Sequence, residues 1–135
     1  MRTIPSLILA LSTCLALPGA HAGDALPPHA LAAEIERPTP PLVVDVRSEE
    51  EYAAGHVPGA VSLPHDRVGE LADRLEAGRE LVLYCRSGRR SRIAGPELEA
   101  RGFRVRYLEG DYPAWEAAGL SVARPDPRPQ GDATE

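Results

Sequence analysis

Apolar residues fall in short blocks whose rhythm alternates along the chain. Leu42-Val43-Val44-Asp45-Val46 is nearly continuous and β-branched, as in a strand covered on both faces. Ser48 then offers an N-cap, with Glu49, Glu50 and Glu51 in the first turn where the helix dipole favours acids; that helix is expected to stop at Gly55. Gly59 to Leu63 reads as a second strand, closed by Pro64. Val68, Leu71, Ala72 and Leu75 follow helical spacing and predict a helix from Val68 to Ala77, ended by Gly78. Leu81 to Tyr84 is a third strand. Ser91 to Arg101 reads as a helix with Ile93, Ala94, Leu98 and Ala100 facing the core and Gly102 as its stop; Pro96 conflicts with this and predicts a kink. Phe103 to Leu108 is a fourth strand. Asp111 is positioned to cap a last helix, Tyr112 to Ala118, closed by Gly119. Upstream, Gly23 to Pro28 looks like a loose arm and His29 to Ile35 a short helix, stopped by the prolines of residues 37–41.

Strands alternating with helices predict a single α/β domain with a mainly parallel sheet. Ligands in such sheets sit beyond the carboxyl ends of the strands. Asp45-Val46-Arg47 and Cys85 lie at such ends. No internal repeat is present.

The first 22 residues differ from the rest. Arg2 supplies a positive start, Leu7 to Leu17 is apolar apart from Ser12, Thr13 and Cys14, and Ala20 and Ala22 form a small-residue cleavage pattern. This reads as a secretory signal peptide cut after Ala22. The run is shorter than the roughly 20 apolar residues that span a bilayer, so no membrane association is expected after cleavage. A lipidated Cys14 is the alternative. The expected division is a signal peptide at 1–22, a domain at 23–123 and a disordered, proline-bearing tail at 124–135.

Composition narrows the chemistry. The chain of 135 residues carries a net charge of -5, which argues against general nucleic-acid binding, and all of its 15 basic residues are arginine. Cleavage would remove Arg2, leaving the mature chain one charge more negative, and would also remove Cys14. Cys85 would then be a lone cysteine in an oxidising compartment, unable to form an internal disulfide. No His, Cys and acid spacing suits a metal.

The stretch Leu81-Val82-Leu83-Tyr84-Cys85-Arg86-Ser87-Gly88-Arg89-Arg90-Ser91 carries the strongest chemical signal. A strand delivers Cys85 to the sheet edge, and residues 86–90 must turn sharply into a helix starting near Ser91. Gly88 can take the positive φ such a turn needs. Backbone N–H groups then point inward, and three arginines add positive charge; both favour a thiolate and an anion docked above it. The bland alternative is a small buried core cysteine beneath a solvated arginine surface.

Asp45-Val46-Arg47, Glu51-Tyr52, Gly55-His56-Val57-Pro58-Gly59-Ala60, the segment Cys85 to Ser91, and Glu109-Gly110 with Pro113-Ala114-Trp115 together resemble a single-domain rhodanese, and with the export signal the chain is similar to small periplasmic rhodaneses of bacteria. The resemblance covers residues 26 to 122. It implies a sulfurtransferase in which Cys85 takes the outer sulfur of a donor such as thiosulfate and yields it, as a persulfide, to cyanide or a thiol, with no cofactor or metal. Gly88, Ser87 and Ser91 would help form the cradle. Arg86 and Arg89 would hold the donor oxyanion, while Arg90 joins them or faces outward. The resemblance also implies scaffold roles for Arg47, paired with Glu51, for His56 and for Trp115; Asp45 bonds the loop or braces the fold. Where the family often has paired glycines, this chain has Gly110-Asp111. A carboxylate beside the cysteine loop would repel anionic donors.

The rivals are different in kind. A carrier would hand persulfide to an exported protein partner rather than turn over small acceptors. Cysteine phosphatases and arsenate reductases need an arginine six positions after the cysteine, where Ser91 stands. Redox sensing would need an exposed thiol. A small polar chain is expected to be monomeric.

Overall fold

The computed structural model describes residues 23–125. The segment expected to be a signal peptide, residues 1–22, and nearly all of the expected tail lie outside these residues. Within them the chain forms β1 (Ala25–Leu26), α1 (Pro28–Ile35), β2 (Leu42–Asp45), α2 (Glu49–Ala54), β3 (Val61–Ser62), α3 (Val68–Leu71), β4 (Glu80–Tyr84), α4 (Arg89–Ala100), β5 (Arg104–Leu108) and α5 (Asp111–Ala117). The strands make one parallel sheet in the order β1-β5-β4-β2-β3.

The apolar runs explain the layers. Side chains alternate between the two faces of a strand. Leu81, Leu83 and Cys85 enter one core with Val44, Val46, Ala94, Leu98 and Val105. Val82 and Tyr84 enter the other, with Val43, Leu31, Leu108, Tyr112 and Trp115. Both faces are covered, as the lack of polar alternation in β2 and β4 predicts.

Chain direction creates the crevice. From β4 the chain moves to β5 on one side; from β2 it moves to β3 on the other. The sheet order therefore diverges between β2 and β4, and such a switch point leaves a groove at the carboxyl ends of the strands. Asp45 ends β2 and Cys85 follows β4.

Several expectations need correction. The arm at Gly23–Pro28 contains an edge strand: Ala25 and Leu26 pair with Tyr107 and Leu108. Two residues are too short to show an alternation. The helix expected over Val68–Ala77 is α3 flanked by 3-10 turns at His65–Arg67 and Ala72–Arg74; the apolar spacing holds while the hydrogen bonding tightens. Helix α4 begins at Arg89, not Ser91, because Gly88 takes a left-handed φ of 86° as its N-cap. Its buried stripe is Ser91, Ala94, Gly95 and Leu98, leaving Ile93 and Ala100 exposed on the opposite side. Pro96 lies inside α4 with its ring exposed, and the helix runs on through it. Lastly, Asp111 is the first residue of α5 and makes no side-chain cap; Gly110 holds the N-cap position.

Candidate functional site

Cys85 sits at the end of the central strand, on the face that packs against α4, and is fully buried. The loop after it is only three residues long. Its left-handed turn at Gly88 aims the Gly88 N–H at the sulfur, donating to Sγ at 3.0 Å. The first-turn N–H groups of a helix have no intrahelical acceptor, so α4 presents its positive end beneath the same loop. The backbone of Cys85 is clamped from the β5–α5 turn. Its N–H donates to Asp111 Oδ1 at 2.8 Å, and its carbonyl accepts from the Tyr112 N–H at 3.0 Å.

The loop arginines separate by role. Arg86 and Arg89 are exposed. Arg86 lines a cleft of about 430 Å3 with Arg47, Glu51, Tyr112 and Glu116. Arg89 and Ser87 line a second hollow, about 330 Å3, with His65 and Ile93. Arg90 instead donates twice to the Glu51 carboxylate, at 2.6 and 3.0 Å. Those bonds hold the Glu51 carboxyl down at about 2, well below the usual carboxylate range, and raise Arg90 further. Ser91 is buried; its hydroxyl finds no partner among the described residues and lines a small cavity of about 140 Å3 behind the loop, with Gly88, Tyr107 and Asp111. A larger hollow of about 490 Å3 lies at the opposite end of β4, between residues 38–41 and 76–80, and holds no nucleophile.

Asp45 and Arg47 form a buried brace next to the loop. Arg47 donates to both Asp45 oxygens, with Nη2 to Oδ2 at 2.6 Å, and to the Gly55 carbonyl at 2.7 Å. Its guanidinium lies over the Tyr112 ring, 4.0 Å from the centroid. Asp45 also accepts from the Tyr84 hydroxyl at 2.8 Å, and that hydroxyl accepts from the Val57 N–H at 3.1 Å. Burial, then the Asp45 charge, pushes the Tyr84 phenol far up, so it stays a donor.

The expected Arg47–Glu51 pair is therefore not formed. Glu51 completes a capping box with Ser48 and binds Arg90, while Arg47 turns inward to Asp45. A two-residue separation at the end of an extended strand puts Asp45 and Arg47 on one side, a signal that the sequence carried. His56 accepts a scaffold part: its Nδ1 lies 2.8 Å from the Tyr52 carbonyl and its ring stacks on Tyr52 at 3.7 Å. Trp115 is buried and donates to the Ser121 carbonyl at 2.9 Å. Cys85 is the free cysteine among the described residues, and it is buried.

The hydrogen-bond partners of Tyr84 and Asp111 were not legible in advance, although the sequence already set a carboxylate at Asp111 where it could flank the cysteine loop. Tyr84 reads as one more apolar strand residue, and only the β2–β4 register, which sets Asp45 opposite Tyr84, reveals its partner. Asp111 reads as a cap because its position before a helix is where caps occur.

Comparison with known proteins places this arrangement. The family model described as a rhodanese-like domain matches residues 27–118. An HTH-type transcriptional regulator of Mycobacterium tuberculosis is 39% identical over 102 residues, which are 67% of this chain and 41% of that protein. A sulfurtransferase of Allochromatium vinosum is 37% identical over 86 residues, 63% of this chain and 80% of that protein. The crystal structure of a thiosulfate sulfurtransferase from Pseudomonas aeruginosa superposes with a TM-score of 0.69 at 31% identity, covering 77% of this chain and 20% of that one. The chain thus spans less than half of the regulator and a fifth of the solved enzyme, but most of the Allochromatium protein.

Proposed function

The chain belongs to the rhodanese-like domain family, and we propose that it is a sulfurtransferase in which Cys85 accepts a sulfane sulfur from a small donor such as thiosulfate. The supporting observation is the Gly88 N–H held 3.0 Å from Cys85 Sγ by a left-handed glycine that opens a helix of 12 residues. That donor stabilises negative charge on sulfur, in the thiolate and in the persulfide alike.

The proposed steps are as follows. The Cys85 thiolate attacks the outer sulfur of thiosulfate. The sulfur–sulfur bond of the donor breaks, and sulfite leaves with the electron pair. Cys85 now bears a persulfide anion, charge being conserved. Arg86 and Arg89, exposed on either side of the loop, hold the sulfonate oxygens during attack. Cyanide or a thiol then takes the outer sulfur and restores the thiolate. Ser87 stays exposed on the loop and Ser91 is buried behind it. Arg90 is occupied by Glu51 and shapes the loop rather than binding the donor.

A second reading is a persulfide carrier that serves an exported protein. One observation favours it: Ile93 is 50% exposed beside Arg89, an apolar surface that small donors do not use. We also propose that residues 1–22 direct export to the periplasm and are removed.

Intact mass of the protein recovered from producing cells tests these readings together. A chain starting at Gly23 supports export; a mass retaining residue 1 removes it. After incubation with thiosulfate, a gain of one sulfur atom is expected, absent in Cys85→Ser and lost on adding cyanide. Loading with slow release to cyanide would select the carrier. No loading, with Cys85 still alkylatable, would remove thiosulfate as donor.

A further inference from the structure

The group at the site least suited to an anionic donor is the Asp111 carboxylate. Among the described residues Asp111 is the only non-glycine residue with positive φ, at 57°. That conformation is disfavoured for any residue with a Cβ, though Asp tolerates it better than most. Strain of this kind collects at functional positions. Its side chain does not cap α5, where a carboxylate would ordinarily serve. Instead Oδ1 accepts from the N–H of the nucleophile itself, at 2.8 Å. Oδ2 lies against Gly88, 3.2 Å from where a Cβ on that residue would stand. The carboxylate is thus wedged behind the loop, between Cys85 and the glycine whose N–H faces the sulfur. Glu51, the other acid tied to this loop, is neutralised by Arg90. Asp111 has no arginine partner among the described residues.

We propose that Asp111 is a specificity-determining residue that sets the charge of the sulfur donor: it disfavours doubly charged donors and leaves singly charged ones, such as an organic thiosulfonate or a persulfide, as the better substrates. This rests on the sulfur-transfer reading above. Two effects act together. The Cys85 N–H is turned away from the anion cradle and spent on the carboxylate. The carboxylate then adds a fixed negative charge in a half-buried position, where water screens it less than at the surface. Each unit of donor charge is opposed separately, so a dianion suffers about twice the penalty of a monoanion. With a thiosulfonate the chemistry balances as before: the thiolate attacks the terminal sulfur, the sulfur–sulfur bond breaks, the sulfinate leaves with the electron pair, and Cys85 holds the persulfide anion.

The test compares thiosulfate with benzenethiosulfonate, which differ by one unit of charge and present the same kind of terminal sulfur to the thiolate. Both are assayed with the wild-type chain, Asp111→Asn and Asp111→Gly. Asn keeps an oxygen for the Cys85 N–H and accepts positive φ; Gly relieves the backbone altogether. In both variants the ratio of kcat/KM for thiosulfate over benzenethiosulfonate is expected to rise about tenfold, mainly through KM for thiosulfate, and the rise should shrink at high salt. An unchanged ratio in both variants, whatever happens to the absolute rates, overturns the proposal and leaves Asp111 a backbone clamp. If neither donor loads sulfur onto Cys85 in any of the three proteins, the sulfur-transfer reading fails, and the charge filter with it.

Discussion

At the scale of single residues, the site depends on one backbone conformation. Gly88 must hold a φ of 86° for its N–H to reach the Cys85 sulfur. An alanine there meets two obstacles: the left-handed backbone costs roughly 1–2 kcal/mol for a residue with a Cβ, and that Cβ would lie 3.2 Å from Asp111 Oδ2. The loop must shift, and the N–H leaves the sulfur. Gly88→Ala is therefore expected to slow sulfur loading by at least about tenfold, as followed by mass. Gly78→Ala is the control. Its φ is 75°, nothing stands within 4 Å of a new Cβ, and it lies at the far end of β4. It should lower thermal stability by a similar amount and leave loading unchanged. Equal loss of loading in the two variants would show that stability alone accounts for the effect. The sequence declared Cys85 and Gly88 openly, because a thiol between a strand and a glycine has few other uses. It was silent on which arginines are free, since Arg86, Arg89 and Arg90 look alike until Glu51 claims one of them.

At the scale of elements, the cysteine loop is held by its neighbours more than by itself. The β5–α5 turn grips both backbone groups of Cys85, and α2 reaches α4 through Glu51 and Arg90. Such contacts join residues 26 and 39 positions apart, which no local pattern can announce. Local patterns did announce the N-cap at Ser48 and the strands β2, β4 and β5, because caps and apolar runs are properties of neighbouring residues. They failed at β1, which is too short to have a rhythm, and at the start of α4, where a left-handed glycine caps the helix two residues early. The α2–α4 tie gives a pH dependence. Arg90 holds the folded Glu51 carboxyl at about 2, against an ordinary 4.5. A depressed carboxyl contributes stability that is fully present above its unfolded value and is lost as the pH falls through the folded one. The Glu51 contribution should therefore fade between about pH 4.5 and 2. Glu51→Gln removes it at neutral pH. The wild type and this variant should differ in urea midpoint at pH 7 and converge toward pH 2, and a constant gap across that range would refute the tie.

At the scale of the whole molecule, chemistry and stability occupy different places. The switch point between β2 and β4 puts Cys85 at the carboxyl edge of the sheet, on the α4 face. A second charged cluster sits on the other face. Arg106 is only 6% exposed, pairs with Glu34 at 2.5 Å, and makes a still closer pair with Glu80. Its backbone is level with Val82, so it lies below the crevice and opposite the face that carries Cys85. Nothing in this cluster faces a hollow that holds a nucleophile, which marks it as a joint between α1, β4 and β5. A buried guanidinium with Nε unpartnered is an expensive joint, and replacing it with a thioether chain removes that penalty while leaving two carboxylates facing each other. Those acids are partly exposed, at 14% and 28%, so water relieves some of their repulsion. Arg106→Met is expected to lose about 3 kcal/mol, the low end for breaking a buried pair, read from urea unfolding at neutral pH. Adding Glu34→Gln should restore part of the loss, since it removes one of the two opposed charges. Sulfur loading of Cys85, measured by mass at a urea-free temperature well below unfolding, should match the wild type in both variants. A loading defect in folded Arg106→Met would mean that strain at the joint reaches the loop along β4 from Glu80 or along β5 and the turn at Gly110-Asp111, whose carboxylate holds the Cys85 N–H.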